Sequence, residues 1–323
     1  MALLPNRNIF DGTKTPATTT SDMKTALGSL RDFLAGLLGT DSTNLSAARA
    51  ALAAAKSGAN TDITSLAGVT SINGGALAGM KNLIINGKFA INQRTVSGTV
   101  TLTAGAYGHD RWKAGAAGCT YTFATVGTTT TLTISAGSLV QVIEGLSVDQ
   151  TAYTMGWTGT AQGRILAGSY AVSPIALTAA AGSNLSVEFG TGTLTKVQVE
   201  PGAVATVFEQ RLYGPELSLC HRYTRPLPTG AIGGGCPGQA YSSTQTICFS
   251  SGALMRATPS ISSSSSHTVT NSTASTVTVS SVGTITQGSD GSVVIPLNTA
   301  GGLVAGNATY AVFANGTYLV SEL

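Results

Sequence analysis

Charge is what this sequence has least of. Only 10% of its 323 residues are Asp, Glu, Lys or Arg, against roughly 25% in an ordinary soluble domain. A lone monomer with so thin a charged surface would stay in solution poorly. The composition therefore points to an oligomer that hides part of its surface. The formal net charge of +3, from 17 basic and 14 acidic groups, is too small to hold a polyanion, which argues against a nucleic-acid partner. Long apolar runs are missing as well. The most apolar tract, 165–181, is broken by Ser169, Ser173, Pro174 and Thr178, whereas a membrane span needs about 20 apolar residues. No membrane span is expected. The opening MALLPNRNIF lacks an apolar stretch of signal-peptide length and does not read as a secretion signal.

Catalytic and metal-binding patterns are equally scarce. Cys119, Cys220, Cys236 and Cys248 form no CxxC pair and no dense framework, and read as buried thiols. His109, His221 and His267 lie far apart, without ligand spacing to Cys or carboxylate. The adjacent Cys220 and His221 would diverge by about 100° on a helix. Ser21-Asp22-Met23-Lys24 matches a serine–lysine nucleophile pattern but has no partner motif. Glu144 and Asp149 could form a glycosidase pair, yet nothing in the sequence sets their separation. The expectation is a non-enzyme with no cofactor and no metal. Trp112 and Trp157, the only tryptophans, read as core residues before they read as sugar platforms.

What is present divides the chain into five segments. Residues 1–19 read as an extended arm, because Pro5, Gly12 and Pro16 obstruct regular structure. Residues 20–57 read as helical. Ser21 is a good N-cap, and Met23, Leu27, Leu30, Leu34 and Leu37 follow at alternating spacings of four and three, the seam of a coiled coil. Two heptads are too short to stand alone, so the seam must pack on a second helix near 44–56 or on copies of itself. Residues 58–80 are rich in Gly, Ala, Ser and Thr, with Ile63, Leu66, Val69 and Ile72 every three residues. They read as a shaft or a linker.

The next two segments are β in character. From 81 to 213 short runs recur at close intervals: Leu83–Ile85, Val100–Leu102, Tyr121–Thr125, Thr129–Ser135, Leu139–Ile143, Tyr153–Trp157, Leu185–Phe189 and Leu194–Val199. Gly or Asn punctuates most gaps, as in an antiparallel sandwich. Val197 and Val199 alternate with Lys196, Gln198 and Glu200, which predicts one buried and one wet face. Pro201-Gly202 makes a turn, and Pro215-Glu216 suits the first turn of a closing helix. Beyond a Gly/Pro hinge at 233–238 lie further runs, ending at 310–320, where Asn315-Gly316 between two alternating runs predicts a hairpin. The fold class is thus mainly β: an N-terminal arm and short α-helices, then two antiparallel β-sandwich domains, 81–223 and 224–323.

Several phrases carry a resemblance. VQVEPGAVATVFEQRLYGPELSLCHRY (197–223) is similar to the closing signature of a jelly-roll β-sandwich module of tailed-bacteriophage fibre and receptor-binding proteins, a fold shared with carbohydrate-binding modules. KNLIINGKFAINQR (81–94) and YGHDRW (107–112) resemble that module's start, in the family's order. The pattern usually carries a second aromatic after the Tyr223 position, where this chain has Thr224. KTPATTTSDMKTALGSLRDFLAGLLG resembles virion-proximal ends of tail fibres, GANTDITSLAGVTSINGG resembles shaft segments, and LMRATPS resembles distal domains of the same proteins. The resemblance implies a homotrimeric tail fibre in the virion, assembled in the bacterial host cytoplasm. Its arm would engage tail or baseplate proteins and its distal end a host surface glycan. The alternative is a fibre-like enzyme that degrades or deacetylates host polysaccharide. By elimination, recognition is expected after the hinge, at Tyr241, His267, Asn271 and Asn315, polar groups on loops held by strands.

Overall fold

The computed structural model describes residues 27–34, 79–149, 152–165, 168–229, 235–262, 267–273 and 275–323. The chain divides into two compact units, Met1–Ala67 and Gly68–Leu323. In the first, helix α1 (27–34) is described. The expected arm, the second helix near 44–56, nearly all of 58–80, and Met23 and Leu37 of the seam lie outside the described residues. The second unit is mainly β.

Its first half is built on two long strands, β2 (Lys113–Val126) and β3 (Thr129–Ile143), joined by a tight turn and preceded by β1 (Val100–Leu102). Their ladder slips twice near the middle, where Gly118 and Gly137 take φ of +81° and +69°. A Cβ on Gly137 would lie 2.0 Å from the Gly118 carbonyl oxygen, so only glycine fits this bend. The bend splits the partners of β3. Before it, Leu132 to Ile134 pair with β8 (Gly192–Pro201); after it, Leu139 to Ile143 pair with β7 (Leu185–Phe189). Strand β5 (Gly163–Ile165) extends the β7 side, while β4 (Ala152–Thr158) and β6 (Ile175–Thr178) extend the β8 side. The two sides face each other across one core. Trp157 on β4 meets Phe189 on β7 at 5.2 Å between ring centroids. Trp112, Tyr121, Leu139 and Val187 fill the same core.

Two local expectations change here. Leu83–Ile85 forms no strand. Leu83 donates its N–H to Val199, and the buried amide of Gln141 both accepts from and donates to the Ile85 backbone, at 2.9 and 2.8 Å. A side chain thus replaces a ladder partner. The outer face of β8 is wet only at Lys196, which stays exposed: Gln198 and Glu200 are buried. The segment 203–211 straps across them, with Thr206 N donating to Glu200 and Glu209 N donating to Gln198, both at 2.7 Å. Lys81 completes the cover through an ion pair to Glu200. The closing helix α2 (Tyr213–His221) carries Glu216 in its first turn and buries Cys220.

The second half contains β9 (Thr224–Pro226), β10 (Cys236–Ala240), β11 (Gln245–Ser250), β12 (Ser260–Ile261), β13 (Thr268–Asn271), β14 (Thr276–Val282), β15 (Thr286–Gln287), β16 (Val293–Thr299), β17 (Ala308–Val312) and β18 (Tyr318–Val320). Strands β11, β10, β17, β13, β14 and β16 pair in that order, and β16 pairs back onto β11 over Gln245 to Ser250. The ring is closed. The expected distal sandwich is therefore a six-stranded antiparallel barrel, filled by Val269, Ile295, Leu297, Ala311 and Phe313 with the thiols of Cys236 and Cys248. All four cysteines are free and buried. Closure removes the sheet edges that a sandwich leaves open.

The Asn315-Gly316 turn forms, but the hairpin does not. Thr317 N donates to Ala314 O at 3.2 Å, and Gly316 takes a φ of +78° while Asn315 does not enter the positive-φ region. A positive φ at the second central residue alone fits a type II turn and neither the type I′ nor the type II′ turn that folds a two-residue hairpin. Strand β18 leaves the barrel and pairs with β9 and β12. That exit brings residues 318–323 against the first half. Glu322 accepts from Arg94 at 3.0 Å, Arg111 at 2.7 Å and Thr224 Oγ1 at 2.6 Å. The Arg111 guanidinium lies 3.5 Å from the centre of the Tyr223 ring, and Tyr318 donates its hydroxyl to Gln93 O. Thr224, where the resembling family carries an aromatic, is buried in this polar cluster.

Candidate functional site

The four residues expected to meet a receptor are not brought together. The barrel register pairs Gln239 with Ala308 at one end and Cys236 with Ala311 toward the other. Tyr241 and Asn271 therefore stand at the first end, and His267 and Asn315 at the second. Tyr241, 72% exposed, caps the β10–β11 turn, which Tyr241 N closes onto Gln245 O. Asn315 is exposed on its turn. His267 and Asn271 are buried and do structural work. The His267 ring packs edge-on against Phe313 at 5.1 Å. Asn271 gathers its own turn, accepting from Thr273 N at 3.1 Å and Ser275 N at 3.0 Å and donating to Gly302 O at 3.2 Å. Composition could not separate these two from surface polar residues, because both kinds sit beside turns.

Of the coiled-coil seam, Leu27, Leu30 and Leu34 lie on α1 and are 58%, 39% and 42% exposed. Spacings of three and four put them on one helical face.

A concavity with a volume of about 500 Å³ opens in the first half of the second unit. Sequence reasoning missed it, because its walls come from segments more than 100 residues apart. One wall is the loop 87–92, folded by Asn86. That side chain accepts from Ile91 N at 2.9 Å and donates to Ile91 O at 2.8 Å, while Asn86 and Phe89 adopt φ of 60° and 55°. Such left-handed backbone in a bulky residue persists only when its surroundings enforce it; here the Phe89 ring lies 4.9 Å from Trp112. A second wall is the β2–β3 turn with Phe123, whose ring meets His109 at 4.6 Å. The third is the strap end, Phe208 to Tyr213, with Glu216 behind it. Arg211 donates to Ile84 O at 3.0 Å and pairs with Glu216 at 3.2 Å. Its Nε, although buried, has no partner.

Glu144, one of the two carboxylates considered for glycosidase chemistry, is held by Arg222 at 2.9 Å and by the Tyr223 hydroxyl at 2.9 Å. Asp149 contacts the Tyr153 hydroxyl at 3.3 Å. Among the described residues, no three of His, Cys, Asp or Glu cluster to hold a metal ion, and no helix is long and apolar enough to cross a membrane. Trp112 and Trp157 are both buried, their indole N–H groups donating to Asn86 O and Ala161 O.

Burial holds all three histidines below their ordinary range, His109 down to about 4 from 6.5. Burial also works against the charge of Glu200, but hydrogen bonds from Thr206, Lys81 and Gln198 outweigh it and keep that carboxyl low. The unfolded chain therefore takes up protons before the folded one does. Stability is expected to fall as pH drops from about 6.5 toward about 4, with His109 alone contributing about 3 kcal/mol of the loss. Asp110, raised by burial, offsets part of it at the acid end. Urea titrations at pH 7 and pH 4.5 check this; equal stabilities would show that His109 is protonated without cost.

No protein-family model matches the sequence and no curated protein is significantly similar to it, so the geometry described above and the sequence carry the functional reading.

Proposed function

We propose that this chain is the subunit of a homotrimeric bacteriophage tail fibre, a structural virion protein that attaches the particle to the host cell surface. The observation that carries the reading is the leucine face of α1, three large apolar side chains left in the open on a chain with little charge. An exposed apolar stripe at coiled-coil spacing is stabilised by copies of itself. The phage assignment rests on the phrases at 14–39, 81–94, 107–112, 197–223 and 254–260. In this reading the arm docks on tail or baseplate proteins, and the barrel presents Tyr241 to a surface glycan. Each contact is weak, and three copies on one axis multiply it.

Light scattering on the full chain tests the assembly. A trimer is expected at micromolar concentration, and Leu30→Asp with Leu34→Asp should loosen it, because each buried charge in the seam costs several kcal/mol. A wild-type monomer under those conditions would remove the basis of the proposal. Adsorption competition completes the test: purified trimer is expected to block phage adsorption, and Tyr241→Ala to weaken that block.

A further inference from the structure

The cavity walled by loop 87–92, the β2–β3 turn and the strap end has a chemistry that the tail-fibre reading does not use. Two half-buried phenylalanines, Phe123 and Phe208, line it with Phe89 buried behind them, so an occupant must present an apolar face. Two cations line it as well, and both keep donors unspent. Lys88 is half-buried; its ammonium makes no hydrogen bond or ion pair among the described residues, although the Glu216 carboxylate lies near enough to favour its charge. The Arg211 side chain is 5% exposed; one of its N–H groups serves Ile84 O and Glu216, while Nε has no acceptor. Among the described residues Glu216 is the only carboxylate on the lining, against Lys88 and Arg211. The wall therefore carries a net positive charge. Asn92, Gln210 and the threonines of the β2–β3 turn add neutral hydrogen-bonding groups.

We propose that this cavity binds a small carboxylate with an apolar face, its acid group held by Lys88 and Arg211 and its body laid against Phe123 and Phe208. Two sources share that chemistry. One is an acidic sugar, whose ring C–H face packs on aromatic rings and whose hydroxyls reach Asn92 and Gln210. The other is a short aliphatic acid. The site lies in the first half of the second unit, away from the barrel end assigned to the receptor, so it stands or falls separately from the tail-fibre reading.

Calorimetric titration of the full chain with glucuronate, glucose, hexanoate and hexanol decides it. At least one acid is expected to bind, and to bind roughly ten- to a hundredfold more tightly than its neutral counterpart. Glucuronate binding identifies the sugar source and hexanoate binding the aliphatic one. Lys88→Met, a change at a half-buried position that leaves the fold intact by its melting temperature, should weaken the acid about tenfold or more. Arg211→Lys keeps the charge, removes Nε and should weaken it as well. Equal affinity for acid and neutral probe, or an acid affinity indifferent to Lys88→Met, overturns the proposal. So does failure of all four probes to bind, the result if a second copy of the chain covered the cavity.

Discussion

Replacing Glu322 with Ala is expected to cost about 3–5 kcal/mol of folding stability, the range for breaking one side of a buried ion pair. The carboxylate is the shared acceptor of Arg94, Arg111 and Thr224, and the partners are deeply placed: the Arg111 side chain is 2% exposed and that of Arg94 13%. Without it, Arg111 keeps only the Val142 carbonyl and the face of Tyr223, and Arg94 falls back on Thr224 Oγ1 at 2.8 Å and Asp110 at 3.8 Å. Two guanidinium groups would then be buried with one carboxylate between them. Glu322→Gln should lose less, because an amide oxygen still accepts. Urea denaturation at neutral pH measures both. A Glu322→Ala loss below about 1 kcal/mol would mean that water reaches the cluster and the pairs behave like surface salt bridges. The same contacts bear on truncation. A fragment ending at Tyr223 would strip these arginines of Glu322 and is expected to fold poorly, so point substitutions are the better probes of recognition.

Trp112→Ala is expected to cost a further large amount, about 3–5 kcal/mol, as for other buried aromatic truncations. Trp112 is fully buried, packs at a tilt against Phe89 at 4.9 Å and Phe189 at 6.0 Å, and donates its indole N–H to Asn86 O. Removal opens a cavity in the middle of the core and leaves the Asn86 carbonyl with only the Phe89 N–H as donor. Trp112→Phe should keep most of the packing and lose the hydrogen bond, at about 1–2 kcal/mol. Trp157 remains as the fluorescent reporter in either variant. Because Phe89 leans on Trp112, the loop that walls the cavity should loosen too, and acid binding should weaken in Trp112→Ala beyond what its stability predicts. A variant as stable as the wild type would show that the surrounding side chains can collapse into the space.

By itself the sequence determined the β class, most strand positions from 100 to 199, the closing helix and the burial of the thiols. These depend on properties local to a few residues: alternation along a strand, proline and glycine at turns, a proline followed by glutamate at a helix start. Only the tertiary structure decided the rest. Gln198 and Glu200 alternate as wet residues should, yet a strap 203–211 covers them, and its placement is a matter of chain routing. His267 and Asn271 look like surface loop residues, and their burial follows from which strands close the barrel. That closure is one long-range choice, β16 returning to β11, and no local pattern distinguishes it from a sandwich edge. The ion cluster joins Arg94 and Arg111 to Glu322 across more than 200 positions, and the cavity joins Lys88 to Arg211 across more than 100. Local preference can say that each such residue is charged. Which partner neutralises it, and which donor is left free for a ligand, depends on the packing of segments that the sequence keeps far apart.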